Sequence, residues 1–208
     1  MKTLLLTGFE PFLDYTINPT MRVVERLDGE EIGGYRIISR VLPVDFNRSG
    51  QYILEWIEEV QPDAVVSLGL AAGRYKITPE RIALNVKDGD QDNEGYQPVD
   101  EPISAEGPDA YLSTLPVRKM TQALIEAGLP AEISNTAGAY LCNNIMYEGL
   151  HYAAKNKPEM LSGFIHIPAD HQLAIEHGKL PSWSHDDLTA GVRICLEAMG
   201  QDGRENKA

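Results

Sequence analysis

Short apolar runs alternate along this chain with stretches in which apolar residues recur every three or four positions, a pattern that predicts alternating strands and helices. The apolar runs are bounded by glycine, proline or polar residues, as strands usually are. Strands are predicted at 2–7, 35–41, 64–68, 81–86, 131–135 and 163–167. Helices are predicted at 19–27, 52–60, 117–127 and 145–152, and a last one follows 184–187 with apolar residues up to Met199.

Boundary residues support several of these assignments. Asn18-Pro19 supplies a cap residue and a first-turn proline for the first helix. Pro62 prevents the second helix from continuing. Residues 88–108 contain turn-forming dipeptides and prolines, so an irregular insertion is predicted there. The polar residues 201–208 are predicted to form a frayed tail.

Apolar strands that alternate with helices favour an α/β fold. We predict a single catalytic domain over residues 1–208, a three-layer αβα arrangement with helices on both faces of a twisted, largely parallel, mixed sheet. In such sheets, ligands bind outside the carboxyl ends of the strands. The loops after Thr7, Leu68, Asn135 and Ile167 are therefore the predicted places for chemistry.

Composition narrows the possible partners and the compartment. The formal net charge of −13 argues against a surface for nucleic acid or anionic membrane, since both require clustered lysine and arginine. Two cysteines cannot form a framework of several disulfides, which fits a reducing compartment. The apolar run at the N-terminus is too short for a signal peptide or a membrane span, so the cytoplasm is the expected location.

Cys142 lies between a predicted strand and a predicted helix, just after Gly138. A thiol at a helix start is close to unpaired N–H groups and to the positive end of the helix dipole. That environment favours the thiolate, which is the nucleophilic form. A lone cysteine is more often an inert, buried apolar residue, and Cys195, on the apolar face of the last helix, is predicted to be one.

Two further residues could complete a catalytic set with Cys142. His166 lies at the apolar end of a predicted strand, where it could be a hydrogen-bonded core histidine or the base that thiol acyl transfer needs. Glu80 precedes a predicted strand and could be a surface carboxylate paired with Arg81. Its alternative role is the acid that holds the imidazole in the productive tautomer.

Two other classes of function stay open on the residues alone. His166, Asp170 and His171 could be metal ligands of an amidase or peptidase, although their spacing matches no known metal motif. A non-catalytic protein that binds a small molecule could also use this fold. Gly69 and Gly73 do not match a phosphate-binding or dinucleotide-binding glycine pattern.

Several motifs, taken in order, resemble those of pyroglutamyl-peptidase I, also called pyrrolidone-carboxylate peptidase, a family of cysteine peptidases. Each motif is weak alone, but their common order and spacing are specific, and the resemblance runs from about Thr3 to Pro168. The segments are Thr7-Gly8-Phe9-Glu10-Pro11-Phe12 with Asn18-Pro19, Gly73-Arg74 with Ile77-Thr78-Pro79-Glu80-Arg81, Asp92-Asn93-Glu94-Gly95, and Thr136-Ala137-Gly138-Ala139-Tyr140-Leu141-Cys142-Asn143 with Gly163-Phe164-Ile165-His166-Ile167-Pro168.

The resemblance implies hydrolysis of an N-terminal pyroglutamyl residue from peptides, without a cofactor or a metal. It makes Cys142 the nucleophile, His166 the general base and acid, and Glu80 the third member of the triad. It also implies a homotetramer.

The resemblance further implies a pocket for the flat, neutral lactam ring. Phe9 and Phe12 would supply its apolar faces, Asn18 would help to hold their loop, and the backbone near Tyr140 and Leu141 would meet the polar edge. The ordinary alternative for the two phenylalanines is a loop that packs on the core.

Two departures from the family pattern concern polar contacts. Leu70 stands where many relatives have glutamine, so one polar contact near the pocket is missing. Many bacterial relatives carry an arginine shortly before Asp-Asn-Glu-Gly, whereas residues 87–93 here are Lys-Asp-Gly-Asp-Gln-Asp-Asn. A side-chain contribution to an oxyanion hole is therefore in doubt, while the backbone N–H of Cys142 can still contribute.

Overall fold

The structure is a computed structural model that describes residues 1–200, so the predicted tail at 201–208 lies outside the described residues. The strands are β1 Lys2–Phe9, β2 Glu31–Ile32, β3 Tyr35–Leu42, β4 Ala64–Leu70, β5 Thr78–Pro79, β6 Ile82–Leu84, β7 Ala110–Leu112, β8 Leu161–Ile167, β9 Ala169–Asp170 and β10 Ser182–Trp183. The helices are α1 Pro19–Leu27, α2 Ser49–Val60, α3 Val117–Glu126, α4 Leu141–Asn156, α5 His171–His177 and α6 His185–Gly200. None of them is long and apolar enough to cross a membrane.

The main sheet has the strand order β2-β3-β1-β4-β8-β5. Its four central strands are parallel to one another. The edge strands β2 and β5 pair antiparallel with their neighbours. The sheet is therefore mixed but largely parallel, as predicted, and the carboxyl ends of β1, β4 and β8 lie along the same edge.

Helices cover both faces of this sheet. Successive residues of β1 point to opposite faces, so Leu4 and Leu6 belong to one buried cluster and Leu5 to another. The first cluster contains apolar residues of α1, α3 and α6, and the second contains those of α2 and α4. The predicted three-layer αβα fold is thereby confirmed.

Two of the predicted strands differ in the structure. Residues 131–135 form only two isolated parallel bridges, Ile77 with Ala131 and Glu80 with Ser134. Pro79 lies between the two bridges and has no N–H to donate, which interrupts the ladder. The strand predicted at 81–86 is shortened to β6, which pairs with β7 outside the main sheet.

The first strand is longer than predicted because Gly8 continues it. A Cβ atom on Gly8 would lie 2.9 Å from the carbonyl carbon and oxygen of Thr20, so glycine allows α1 to approach the strand. The strand therefore ends at Phe9, and that residue is not part of the following loop as predicted.

Candidate active site

Cys142 lies in the first turn of α4. The helix begins at Leu141, earlier than predicted, after the extended residue Tyr140. The N–H groups of a first turn have no partner within the helix, and they mark its positive end. The Cys142 side chain is partly exposed, whereas Cys195 is buried. The structure thus gives the two cysteines the different surroundings that the sequence predicts.

Strand pairing brings Glu80 to His166. Thr78 of β5 pairs with His166 of β8, and the Glu80 side chain follows on the same side of the chain. His166 Nδ1 lies 2.7 Å from Glu80 Oε1. Glu80 is fully buried and His166 is 5% exposed. The surface pairing of Glu80 with Arg81 is therefore wrong, because the carboxylate points inward and its cationic partner is Arg74, at 2.8 Å.

Opposing effects act on the proton of His166. Burial disfavours the charged imidazolium, but the Cys142 thiolate and hydrogen bonds to Cys142 and Glu80 outweigh it and raise the pKa of His166 to about 9. A protonated imidazole beside a thiolate is the ion pair from which cysteine hydrolases react. The geometry therefore places a thiol, an imidazole and a carboxylate in contact in that order.

Gly69 makes room for this arrangement, a role that the sequence analysis missed. It pairs with His166 across β4 and β8. A Cβ atom at Gly69 would lie 2.6 Å from the Phe164 ring and 2.9 Å from Cys142 Sγ. A glycine within a strand is a known sign of close approach, so the sequence did contain the signal.

A small cavity that is partly open to solvent adjoins Cys142. Its lining residues are Phe9, Phe12, Asn18, Val44, Leu70, Tyr140, Leu141 and Cys142. These include all five residues that were predicted to form a binding pocket. They also include Leu70, the departure from the family pattern, and Val44, for which the sequence offered no signal. Apart from Cys142, the lining contains no acidic or basic side chain.

The two phenylalanines have different surroundings. Phe9 is 3% exposed, and its ring centroid lies 6.5 Å from that of Phe164 in the core. Phe12 is partly buried and lies between Tyr15 and Tyr140, with centroid distances of 5.5 and 6.4 Å. Phe9 is thus packed in the core, whereas Phe12 is a loop residue at the cavity.

Side chains from two segments hold the loop that carries Phe12. Asn18 caps α1 through its side-chain oxygen and donates from Nδ2 to the carbonyl of Glu10 at 3.1 Å. Asn93, from the irregular insertion, donates to Oε1 of Glu10 at 3.1 Å and to the carbonyl of Pro11 at 2.9 Å. The Asp-Asn-Glu-Gly motif therefore helps to hold the Phe12 loop in place through Asn93.

The same insertion packs against Tyr140 on another side of the cavity. The Tyr140 hydroxyl donates to the carbonyl of Gln91 at 3.0 Å, and the Asp88 N–H donates to the carbonyl of Ala139 at 2.9 Å. Burial, together with Asp92 and Asp90, raises the pKa of Tyr140 to about 12. Lys87, the cation that precedes this stretch, pairs with Glu101 at 3.5 Å.

The three residues weighed as metal ligands have other partners. The Asp170 side chain caps α5 by accepting from the N–H of Leu173 at 2.9 Å. The ring of His171 bonds Ser182 at 3.0 Å, and His166 bonds Glu80. Within residues 1–200, no group of three or more histidine, cysteine, aspartate or glutamate side chains could hold a metal ion.

Comparisons with known proteins agree on one family. The family model described as Pyroglutamyl peptidase matches residues 1–202. The pyrrolidone-carboxylate peptidase of Lysinibacillus sphaericus is 61% identical over 197 residues, which cover 95% of this chain and 96% of the relative. That of Oceanobacillus iheyensis is 52% identical over 196 residues, with coverages of 94% and 98%. The structure of Bacillus amyloliquefaciens pyroglutamyl peptidase I superimposes with a TM-score of 0.92 at 37% identity, covering 96% of this chain and 97% of that one.

Proposed function

The chain belongs to the pyroglutamyl peptidase family, and we propose that it removes N-terminal pyroglutamate from peptides with Cys142 as the nucleophile. The observation that carries the proposal is the position of Cys142. Its thiol lines a cavity that has no acidic or basic side chain, and it also lies beside the His166–Glu80 pair. If the pyroglutamyl ring occupied that cavity, the carbonyl carbon of the bond to be cleaved, which lies outside the ring, would lie beside the sulfur.

The chemistry of the cavity fits a lactam better than an ordinary peptide amino terminus. Pyroglutamate is cyclised, so it has no ammonium group and needs no carboxylate partner. The lining offers aromatic and aliphatic faces, and Asn18 is its one amide side chain. Sites of this kind bind by apolar contact and use a few hydrogen bonds for orientation. A free ammonium would lose its hydration there, and no carboxylate lines the cavity to pair with it.

The acylation step uses Cys142 and His166. The thiolate sulfur forms a bond to the pyroglutamyl carbonyl carbon, and the carbonyl oxygen becomes an oxyanion. The unpaired N–H of Cys142 in the first turn of α4 is the proposed donor to that oxygen. When the carbon–nitrogen bond breaks, the His166 imidazolium donates its proton to the leaving amine. A thioester and a shortened peptide result.

Deacylation reverses the role of His166. The now neutral imidazole takes a proton from water, and the resulting hydroxide attacks the thioester carbonyl. The carbon–sulfur bond then breaks, which releases pyroglutamate and restores the thiolate beside the imidazolium. Glu80 accepts the Nδ1 hydrogen bond throughout, so that Nε2 faces the reacting groups.

A chromogenic pyroglutamyl amide tests this function against its two alternatives. We expect hydrolysis that iodoacetamide abolishes and that EDTA leaves unchanged. The prolyl amide lacks the ring carbonyl, so it should be cleaved far more slowly because buried polar partners would be left unpaired. Loss of activity with EDTA alone would indicate a metal enzyme. Absence of turnover, or equal kcat/KM for the two amides, would refute the proposal.

Phe12 offers a test of the pocket itself. Phe12→Ala should lower kcat/KM for the pyroglutamyl amide by roughly tenfold to a hundredfold, because about 1–3 kcal/mol of contact with the ring is lost. Its unfolding free energy should change little. Phe9→Ala is the matched comparison, and because Phe9 is a core residue it should cost about 3–5 kcal/mol of stability. Unchanged turnover in a folded Phe12→Ala variant would place the pocket elsewhere.

The homotetramer that the resemblance implies stays a prediction. Analytical ultracentrifugation of the full chain tests it directly, with a mass near four times the monomer as the expected result.

A further inference from the structure

Arg74 contacts the triad, yet the proposed mechanism gives it no role. It follows β4 in a turn where Gly73 has a φ of +96° and the Arg74 N–H donates to the carbonyl of Ala71 at 3.0 Å. Its Nη1 donates to Thr78 Oγ1 and to Glu80 Oε1, each at 2.8 Å. The Arg74 side chain is 36% exposed, whereas that of Glu80 is fully buried. The Arg74 side chain is therefore in contact with solvent and also with the buried carboxylate.

Both donors to Glu80 use the same oxygen. His166 Nδ1 is 2.7 Å from Oε1, and Arg74 Nη1 is 2.8 Å from it. The other oxygen, Oε2, is buried and has no hydrogen-bond partner within residues 1–200. The orientation of the carboxylate thus depends on the two bonds to Oε1. Of these two donors, Arg74 is the one that keeps its charge when His166 takes up or releases a proton.

The charged groups that act on His166 are few. Cys142 of α4 and Glu80 after β5 both favour the imidazolium. Arg74 contacts Glu80 at 2.8 Å, and this contact is the one through which its charge would oppose them. A guanidinium on Oε1 neutralises part of the carboxylate charge, so the imidazolium is held less firmly. The two backbone neighbours of His166 on the adjacent strands, Gly69 and Thr78, carry no charge.

We propose that Arg74 is a positioning residue that fixes the Glu80 carboxylate toward His166, offsets part of its charge and thereby sets how readily His166 releases its proton. The proposal rests on the function proposed above, in which His166 must donate a proton during acylation and act as a neutral base during deacylation. Without the offset, the imidazolium would persist to higher pH, and less of the neutral base would be present near neutrality.

The pH dependence of Cys142 alkylation tests Arg74 without any substrate. The rate constant with iodoacetamide should show an alkaline inflection where His166 loses its proton, because the thiolate changes reactivity when its cationic partner disappears. Arg74→Met should raise that inflection by about one pH unit, the lower end of the effect of a nearby charge. The alkaline limb of kcat/KM for the pyroglutamyl amide should move in the same direction.

Lys76→Met is the matched control, since it removes a cation from the same loop. Lys76 pairs with Glu132 and does not contact the triad, so neither profile should move. Thr78→Val removes the second acceptor of Arg74 while leaving its charge, and it should cause a smaller shift in the same direction. This variant carries the test if Arg74→Met does not fold, as judged by thermal unfolding.

An unmoved or lowered inflection in folded Arg74→Met and Thr78→Val would overturn the proposal. The test of the peptidase function is independent of this one. If pyroglutamyl amides are not cleaved, the alkylation profiles still decide the role of Arg74. If they are cleaved normally while the inflection stays in place, Arg74 has no influence on His166 and the peptidase function stands.

Discussion

Cys142→Ser should lower kcat for a pyroglutamyl amide by roughly four to six orders of magnitude, the range seen when a hydrolase loses its nucleophile. A serine hydroxyl is a far weaker nucleophile than a thiolate at neutral pH, because it keeps its proton until a base removes it during the attack. The fold should survive, because the side chain is partly exposed and oxygen is smaller than sulfur. Steady-state kinetics and thermal unfolding of the variant check both expectations.

Cys195 provides the control for this experiment. It is fully buried on α6, and burial raises its pKa to about 12, so its thiol should be inert to alkylation at neutral pH. Brief treatment with substoichiometric iodoacetamide, followed by peptide mapping, should label Cys142 almost exclusively. Cys195→Ala should keep its activity while losing some stability from the cavity that it leaves. Preferential labelling of Cys195 would contradict the assignment of the nucleophile.

The approximate position of the site could be predicted from the sequence because it follows from chain direction. Apolar runs that alternate with helices produce a parallel sheet, and the ends of parallel strands meet at one edge. The motif residues at the ends of β1 and β8 and at the start of α4 therefore had to come together. The meeting of these ends depends only on the order of the elements, so errors of a few residues in their predicted bounds leave the position of the site unchanged.

The cationic partner of Glu80 could not be predicted in the same way. Its sequence neighbour Arg81 seemed the natural ion pair, but successive residues of an extended segment point to opposite sides. Thr78 and Glu80 share a side, and a turn at Gly73 brings Arg74 to both of them. The glycine allows a turn there, but the pattern of apolar and polar residues does not specify which side chains the turn brings together.

His166→Ala should reduce kcat about as severely as Cys142→Ser, because in the proposed mechanism the same imidazole supplies a proton in acylation and removes one in deacylation. Glu80→Gln should reduce kcat less, by roughly 10²- to 10⁴-fold, since the base itself survives and the amide oxygen can still accept its hydrogen bond. Both variants need a thermal unfolding measurement, because each replaces a buried member of a hydrogen-bonded pair.

The direction of the pH shift separates the electrostatic role of Glu80 from a purely structural one. Its hydrogen bond and its charge raise the pKa of His166, so their loss in Glu80→Gln should move the alkaline limb of kcat/KM downward from about 9. Arg74→Met should move the alkaline limb upward, because the Glu80 carboxylate keeps its charge in that variant and loses the guanidinium that offsets it. Equal, severe losses of kcat in folded Glu80→Gln and His166→Ala would mean that Glu80 takes part directly in proton transfer. An unchanged profile would mean that the carboxylate contributes only to packing, and opposite shifts for two residues bonded to one oxygen are a result that packing alone does not produce.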